Sequence, residues 1–291
     1  MRLKHAHAVL LMIAVTMMWS IAGVITRHLE HARSFEVTFW RSLFTALSLL
    51  VLLPWYQGRA AVVGTIRTGG SALWLSGLCW SVMFTAFMVA LTLTSVANVL
   101  VTMAVGPLLT ALIARVFLGH RIAARTWAAI VVAGVGIAHM YGAQVVSGQV
   151  AGTLVALCVP FAGAVNWTIS QRAQAHRSEV DLVPAVLIGA VISSAATLPL
   201  AIPFAASWHD IGLLALLGLV QLAIPCSLLV VCARVLKAPE IALLALLEVI
   251  FGILLAWVGA DEAPTQAVLA GGALVIFSLL SNELAGWTER A

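Results

Sequence analysis

Apolar residues fill this chain in ten long stretches, 8–27, 35–54, 72–93, 95–118, 126–142, 150–171, 182–202, 210–233, 240–258 and 265–284, separated by short polar gaps. Each is near the ~20 residues that carry a helix across ~30 Å of hydrocarbon. None alternates apolar and polar residues at period two. In lipid every backbone N–H and C=O must be paired inside the structure, so uninterrupted runs of this length predict α-helices and not barrel strands. Gaps are as tight as Thr92-Leu93-Thr94-Ser95, which makes neighbouring helices antiparallel. The pattern predicts an all-α polytopic membrane protein with ten transmembrane helices.

Composition strengthens this reading. Hydrophobic residues make up 63% of the 291 and charged residues 9%, which leaves no material for a soluble domain. Charge then sets orientation. With the N-terminus cytoplasmic, 12 of the 15 Lys and Arg fall inside: Arg2, Lys4, Arg59, Arg67, Arg115, Arg121, Arg125, Arg172, Arg177, Arg234, Lys237 and Arg290. Arg27 and Arg33 fall outside, and Arg41 lies within the second helix. The bias predicts both termini in the cytoplasm, as an even helix count requires. The net charge of +4 therefore reflects topology and attraction to anionic lipid, and a nucleic-acid partner is not expected. The first apolar run has no cleavage site followed by a soluble domain and is expected to be retained. Cys79, Cys158, Cys226 and Cys232 lie inside predicted spans without metal-ligand spacing, and read as small apolar packing residues, so no metal site is expected.

The chain also repeats itself. From Pro107 the fourth stretch reads PLLTALIARVFLGH to His120, and from Val249 the ninth reads VIFGILLAWVGADE to Glu262. Each is followed by a Gly-rich span, so residues 1–145 and 148–291 read as two five-helix copies. An odd number of helices per copy makes the copies inverted, an architecture in which two half-bundles rock about a shared midplane site.

Those residues carry a family resemblance. Gly106-Pro107 through Leu118-Gly119-His120-Arg121, and Leu247-Glu248-Val249 through Gly259-Ala260-Asp261-Glu262-Ala263-Pro264, resemble the EamA-type repeats of the drug/metabolite transporter superfamily, as do Trp19-Ser20 and Arg41. Within it the chain looks most like the YddG-type exporters of aromatic and other amino acids. His120 stands where the repeat usually has Glu, and Val249 where the second copy usually has Pro. The resemblance implies a secondary transporter in the cytoplasmic (inner) membrane, exporting amino acids and related small metabolites by alternating access. A multidrug or organic-cation exporter is the alternative. No ATP site is expected because no phosphate-binding loop is present; Gly134-Val135-Gly136 and Gly271-Gly272 lie on helices and read as close packing. No other cofactor is expected, and the partners implied are a small-molecule substrate and lipid, with a monomer compatible.

Candidate chemistry is sparse. Trp55, Trp74, Trp127, Trp208, Trp257 and Trp287 fall at span ends, as an aromatic belt places them. Trp40 and Trp167 lie a few residues from a boundary and suit the belt too, with Trp167 also a candidate for the substrate path. Trp19 and Trp80 fall near mid-helix, where an indole faces either a central cavity or a core partner for its N–H. Glu248 is the one carboxylate deep within a stretch. Such a group costs ~2.5–3.5 kcal/mol on insertion scales, so it should face the bundle interior, as a substrate-ammonium ligand, a protonatable coupling site or a structurally hydrogen-bonded acid. Arg41 lies some six residues inside its helix with Glu36 at the mouth. It can hold a substrate carboxylate, lock two helices or snorkel. Pro107, Pro160 and Pro225 interrupt apolar helices and are candidate hinges or gates, or simply tolerated. Gln221, Asn98 and Asn166 read as interhelical glue. An intramembrane enzyme would need several His, Asp or Cys side chains at one depth, and the sequence sets Glu248 alone at its level, so no enzymatic activity is expected.

Overall fold

In a computed structural model the described residues are 5–119, 123–147, 150–175, 181–232, 235–236, 241 and 244–288, and among them there are helices and turns but no strand. In chain order they form α1 (His5–Arg27), α2 (Ser34–Gln57), α3 (Arg59–Thr68), α4 (Gly70–Leu93), α5 (Val96–Met103), α6 (Gly106–Leu118), α7 (Ala124–Ser147), α8 (Val150–Ala175), α9 (Pro184–Ala201) and α10 (Trp208–Leu216). A π-helical segment, Leu217–Ala223, leads into α11 (Ile224–Cys232), and α12 (Leu247–Ala260) and α13 (Gln266–Thr288) follow. His120 and the cytoplasmic-set residues Arg2, Lys4, Arg121, Arg177, Arg234, Lys237 and Arg290 lie outside the described residues, as does the side chain of Trp287.

Among the described residues, seven helical segments are long and apolar enough to cross a membrane: α1, α2, α4, Val96–Phe117, Val150–Ile169, α9 and Trp208–Leu229. The apolar helices Ala124–Met140, Leu247–Ala260 and Gln266–Asn282 are shorter. Two stretches are broken by turns, the fourth beside the expected Pro107 and the ninth at a place that the sequence did not mark. The fourth, 95–118, is two helices: Pro107 has no N–H for the carbonyl of Met103, and α5 ends at that residue. The ninth, 240–258, is interrupted by a turn at Leu246 although Val249 replaces the expected proline; the Val249 N–H is kept and donates to Leu246 O at 3.1 Å. A helix that the apolar pattern did not announce, α3, fills the gap after α2. Gly58 (φ 87°) and Gly70 (φ 59°) turn the chain at its ends, in a backbone region costly to any residue with a Cβ.

Packing pairs α4 with α8 and α9, α2 with α9, α7 with α13, and α1 with α12. One core joins residues of α2, α4, α5 and α12, among them Val37, Leu91, Val101 and Val249. Polar glue crosses it: Asn98 Nδ2 donates to Thr153 Oγ1 at 2.9 Å, and Ser76 Oγ to Asn166 Oδ1 at 2.6 Å. The expected glycine contact forms between α7 and α13. A Cβ on Gly136 would stand 2.6 Å from Gly271 O, and one on Gly271 2.5 Å from Gly136 O, whereas Gly134 has nothing within 4 Å. Gly136→Val is expected to force the helices apart at a cost of about 1–3 kcal/mol, read as a lower melting temperature in detergent, with Gly134→Val leaving it unchanged.

Candidate functional site

Arg41 is the largest fully buried side chain, 1% exposed, and it does not snorkel. Its Nε and Nη2 both donate to Gln221 Oε1, at 3.1 and 2.8 Å, so one edge of the guanidinium is held by the π-helical segment. The rings of Phe87 and Phe84 lie 5.5 and 5.8 Å from its centre. Nη1 is buried and has no hydrogen-bond partner.

The chain builds this arrangement at the proline Pro225, which has no N–H for the carbonyl of Gln221, four residues earlier. The preceding turn widens to the π pattern, with Ile224 N–H bonded to Leu219 O, five residues back. Gln221 Nε2 also donates to Trp19 O on α1 at 3.4 Å. Cys226, buried, follows Pro225 in the first turn of α11. Ser20 Oγ donates to Glu248 O at 3.2 Å, tying α1 to the first turn of α12. Glu248 is only partly buried, and no side chain among the described residues donates to its carboxylate. Hydrogen bonds thus join Arg41 of α2 to Gln221 of the π segment, Gln221 to the Trp19 carbonyl of α1, and Ser20 of α1 to Glu248 of α12.

One end of the bundle is tied shut beside this cluster. Asp210, fully buried, accepts from the N–H groups of Glu30 (2.8 Å), His31 (3.0 Å), Ala32 (3.0 Å) and Ser207 (3.3 Å). Glu36, also fully buried, accepts from Ala205 N at 3.0 Å and Ala206 N at 2.8 Å. Each carboxylate therefore holds the loop before the other's helix. Arg27 pairs with Glu262 and donates to Leu91 O at 2.5 Å and Thr94 O at 2.8 Å, while Glu262 accepts from Val96 N at 2.6 Å. At the opposite end of α2, Tyr56, Gln57, Ala61, Thr65 and Asp181 line an open groove of about 450 Å³, apart from the cluster.

Of the residues singled out in sequence, Trp19, Arg41 and Glu248 lie on the helices that these hydrogen bonds join. Trp80 packs partly buried between α4 and α9, its ring 5.5 Å from Phe84, and so touches the cluster only through the phenylalanine beside Arg41. Trp167 is 53% exposed on α8 and stands apart. Pro107 marks the junction of α5 and α6, and a Cβ on Gly106 there would stand 3.8 Å from Pro160 Cβ, on α8, which runs through its proline unbroken. The belt candidates Trp55, Trp74, Trp127, Trp208 and Trp257 are all exposed. Sequence reasoning placed Gln221 among the glue and Cys226 among the packing residues; a polar side chain four residues before an intrahelical proline was the available signal. Asp210 gave none beyond its place after Ser207, whose Oγ caps α10 by accepting from Asp210 N at 3.1 Å.

With this geometry in hand, one comparison decides the kind of protein this half of the chain resembles. Residues 6–142 match the EamA-like transporter family. The EamA-like stretch contains Trp19, Arg41, Trp80 and Pro107. Among the eleven matching chains of solved structures, one crystal structure covers 99% of this chain, and 100% of its own, at 18% identity and a TM-score of 0.65, a likeness of fold. None of the curated proteins matches.

Proposed function

We propose that the chain is a secondary transporter of the drug/metabolite superfamily that crosses the cytoplasmic membrane ten times, as two inverted five-helix repeats, and exports amino acids. The observation that carries this reading is the run of hydrogen bonds that ties Arg41 through Gln221 to α1 at Trp19, and α1 at Ser20 to Glu248, inside an apolar bundle whose first half matches a transporter family. The match ends at residue 142, beside the boundary that the sequence repeat sets at 145. The repeat aligns Gly119 with Asp261, and both cap their helices in the left-handed region, at φ 69° and 51°. Both α6 and α12 also begin just after an interruption in an apolar stretch. Broken helices opposite each other are where transporters of inverted topology place their substrate. The direction of export and the membrane rest on the family resemblance.

In this reading Glu248 takes the substrate ammonium, Trp19 flanks it, and Arg41 provides the opposite charge. Glu248 with an indole suits organic cations as well, but a buried Arg41 opposes them by like charge. The test is counterflow in sealed liposomes carrying the purified chain, with radiolabelled amino acids and organic cations. Saturable exchange of an amino acid supports the proposal, and exchange of cations alone moves the protein to the alternative. Glu248→Gln is expected to weaken the affinity for a transported amino acid about 10-fold or more, equivalent to ~1.4 kcal/mol, and to flatten any pH dependence of transport. Unchanged affinity and pH profile would remove Glu248 from the site.

A further inference from the structure

Arg41 offers five N–H groups, of which Gln221 Oε1 takes one from Nε and one from Nη2. Both Nη1 hydrogens and the outer hydrogen of Nη2 remain, and one from each nitrogen points end-on from the fork. Nη1 is buried without a partner, and the guanidinium has no ion pair among the described residues. The nearest buried carboxylate on its own helix, Glu36, is committed to Ala205 and Ala206. A guanidinium left so far from water with three free donors and no counter-charge is costly in an apolar bundle, and a planar anion received on that edge offsets the cost. The Phe84 and Phe87 rings lie 5.8 and 5.5 Å from the guanidinium centre and supply no hydrogen-bond acceptor to that edge beyond their π faces.

We infer that the free edge of Arg41 is the carboxylate subsite of the carrier, so that the protein reads the α-carboxylate of its substrate as a condition of binding. The inference deepens the amino-acid reading above and rests on it. Arg41 receives the carboxylate end-on through Nη1 and Nη2, Gln221 fixes the plane of the fork, and Glu248, tied to α1 at Ser20, takes the ammonium. A site that hydrogen-bonds one substrate group rejects analogues lacking it far more strongly than a hydrophobic pocket rejects a missing methylene.

The test uses the full chain in liposomes loaded with unlabelled L-phenylalanine, a probe chosen for the aromatic flank of Trp19, Phe84 and Phe87, and follows entry of the labelled compound. Competition by L-phenylalanine is expected to exceed that by phenethylamine, which lacks the carboxylate, and by phenylalaninamide, which lacks its charge, by about 100-fold. Arg41→Lys, which keeps the charge and loses the fork, is expected to weaken L-phenylalanine about 10-fold, and Arg41→Gln to abolish the discrimination against phenethylamine. If phenethylamine competes as well as L-phenylalanine in the wild-type protein, amino-acid transport stands and the carboxylate subsite falls, even if neither variant folds. If chloride displaces L-phenylalanine and the carboxylate makes no difference, Nη1 holds an inorganic anion and the inference is overturned. If neither labelled L-phenylalanine nor any other labelled amino acid enters, the amino-acid reading fails and takes the subsite with it.

Discussion

Asp210→Ala is expected to destabilise the protein by about 3 kcal/mol or more, the largest effect of any single exchange at the tied end of the bundle. The alanine leaves the N–H groups of Glu30, His31, Ala32 and Ser207 without their acceptor, and Asp210 itself is fully enclosed. A buried donor that loses its partner costs ~1–3 kcal/mol, and the sum falls short of four such costs because the loop can open to water. Asp210→Asn keeps one acceptor oxygen and should fall about midway. Thermal unfolding in detergent measures both. Wild-type stability in Asp210→Ala would mean that the 30–32 loop is held by other contacts.

Gln221 carries the second large effect, and its two exchanges separate folding from transport. Gln221→Leu leaves Arg41 enclosed with no hydrogen bond at all, at an expected cost of about 3 kcal/mol. Gln221→Glu keeps the acceptor and adds the counter-charge, so the protein is expected to fold and to melt near the wild-type temperature. The same carboxylate neutralises Arg41 and repels a substrate anion, so counterflow should fall more than about 10-fold, a loss of ~1.4 kcal/mol in binding. Melting curves and counterflow on both variants check this. A stable Gln221→Leu, or a fully active Gln221→Glu, would separate Gln221 from the role assigned to it.

The helical class and the approximate positions of the apolar stretches were legible because hydropathy over twenty residues is a strong signal, and lipid leaves the backbone few alternatives. Breaks within stretches were less so. Pro107 announced the end of α5 by its missing N–H, but Leu246 carries no such mark. The sequence left Arg41 to hold a carboxylate, lock two helices or snorkel, and its partner was not legible either, since Gln221 lies 180 residues away and a neutral side chain shows no depth preference. Glu36 was visible as a carboxylate at a helix mouth. That it would hold the 205–206 backbone, as Asp210 holds 30–32, depends on the meeting of two loops distant in sequence. Trp167 shows the limit of residue type alone: an indole near a span end serves a belt or a cavity equally in sequence, and here it is 53% exposed.

The central claim is that Trp19, Arg41 and Glu248 form one binding site. Equilibrium binding of a radiolabelled amino acid that the wild-type protein exchanges, measured on the purified chain in detergent, tests it most directly. The account predicts one saturable site per chain, weakened about 10-fold or more by each of Trp19→Ala, Arg41→Lys and Glu248→Gln in variants that melt normally. Undiminished binding in all three would place the substrate elsewhere in the bundle and contradict it.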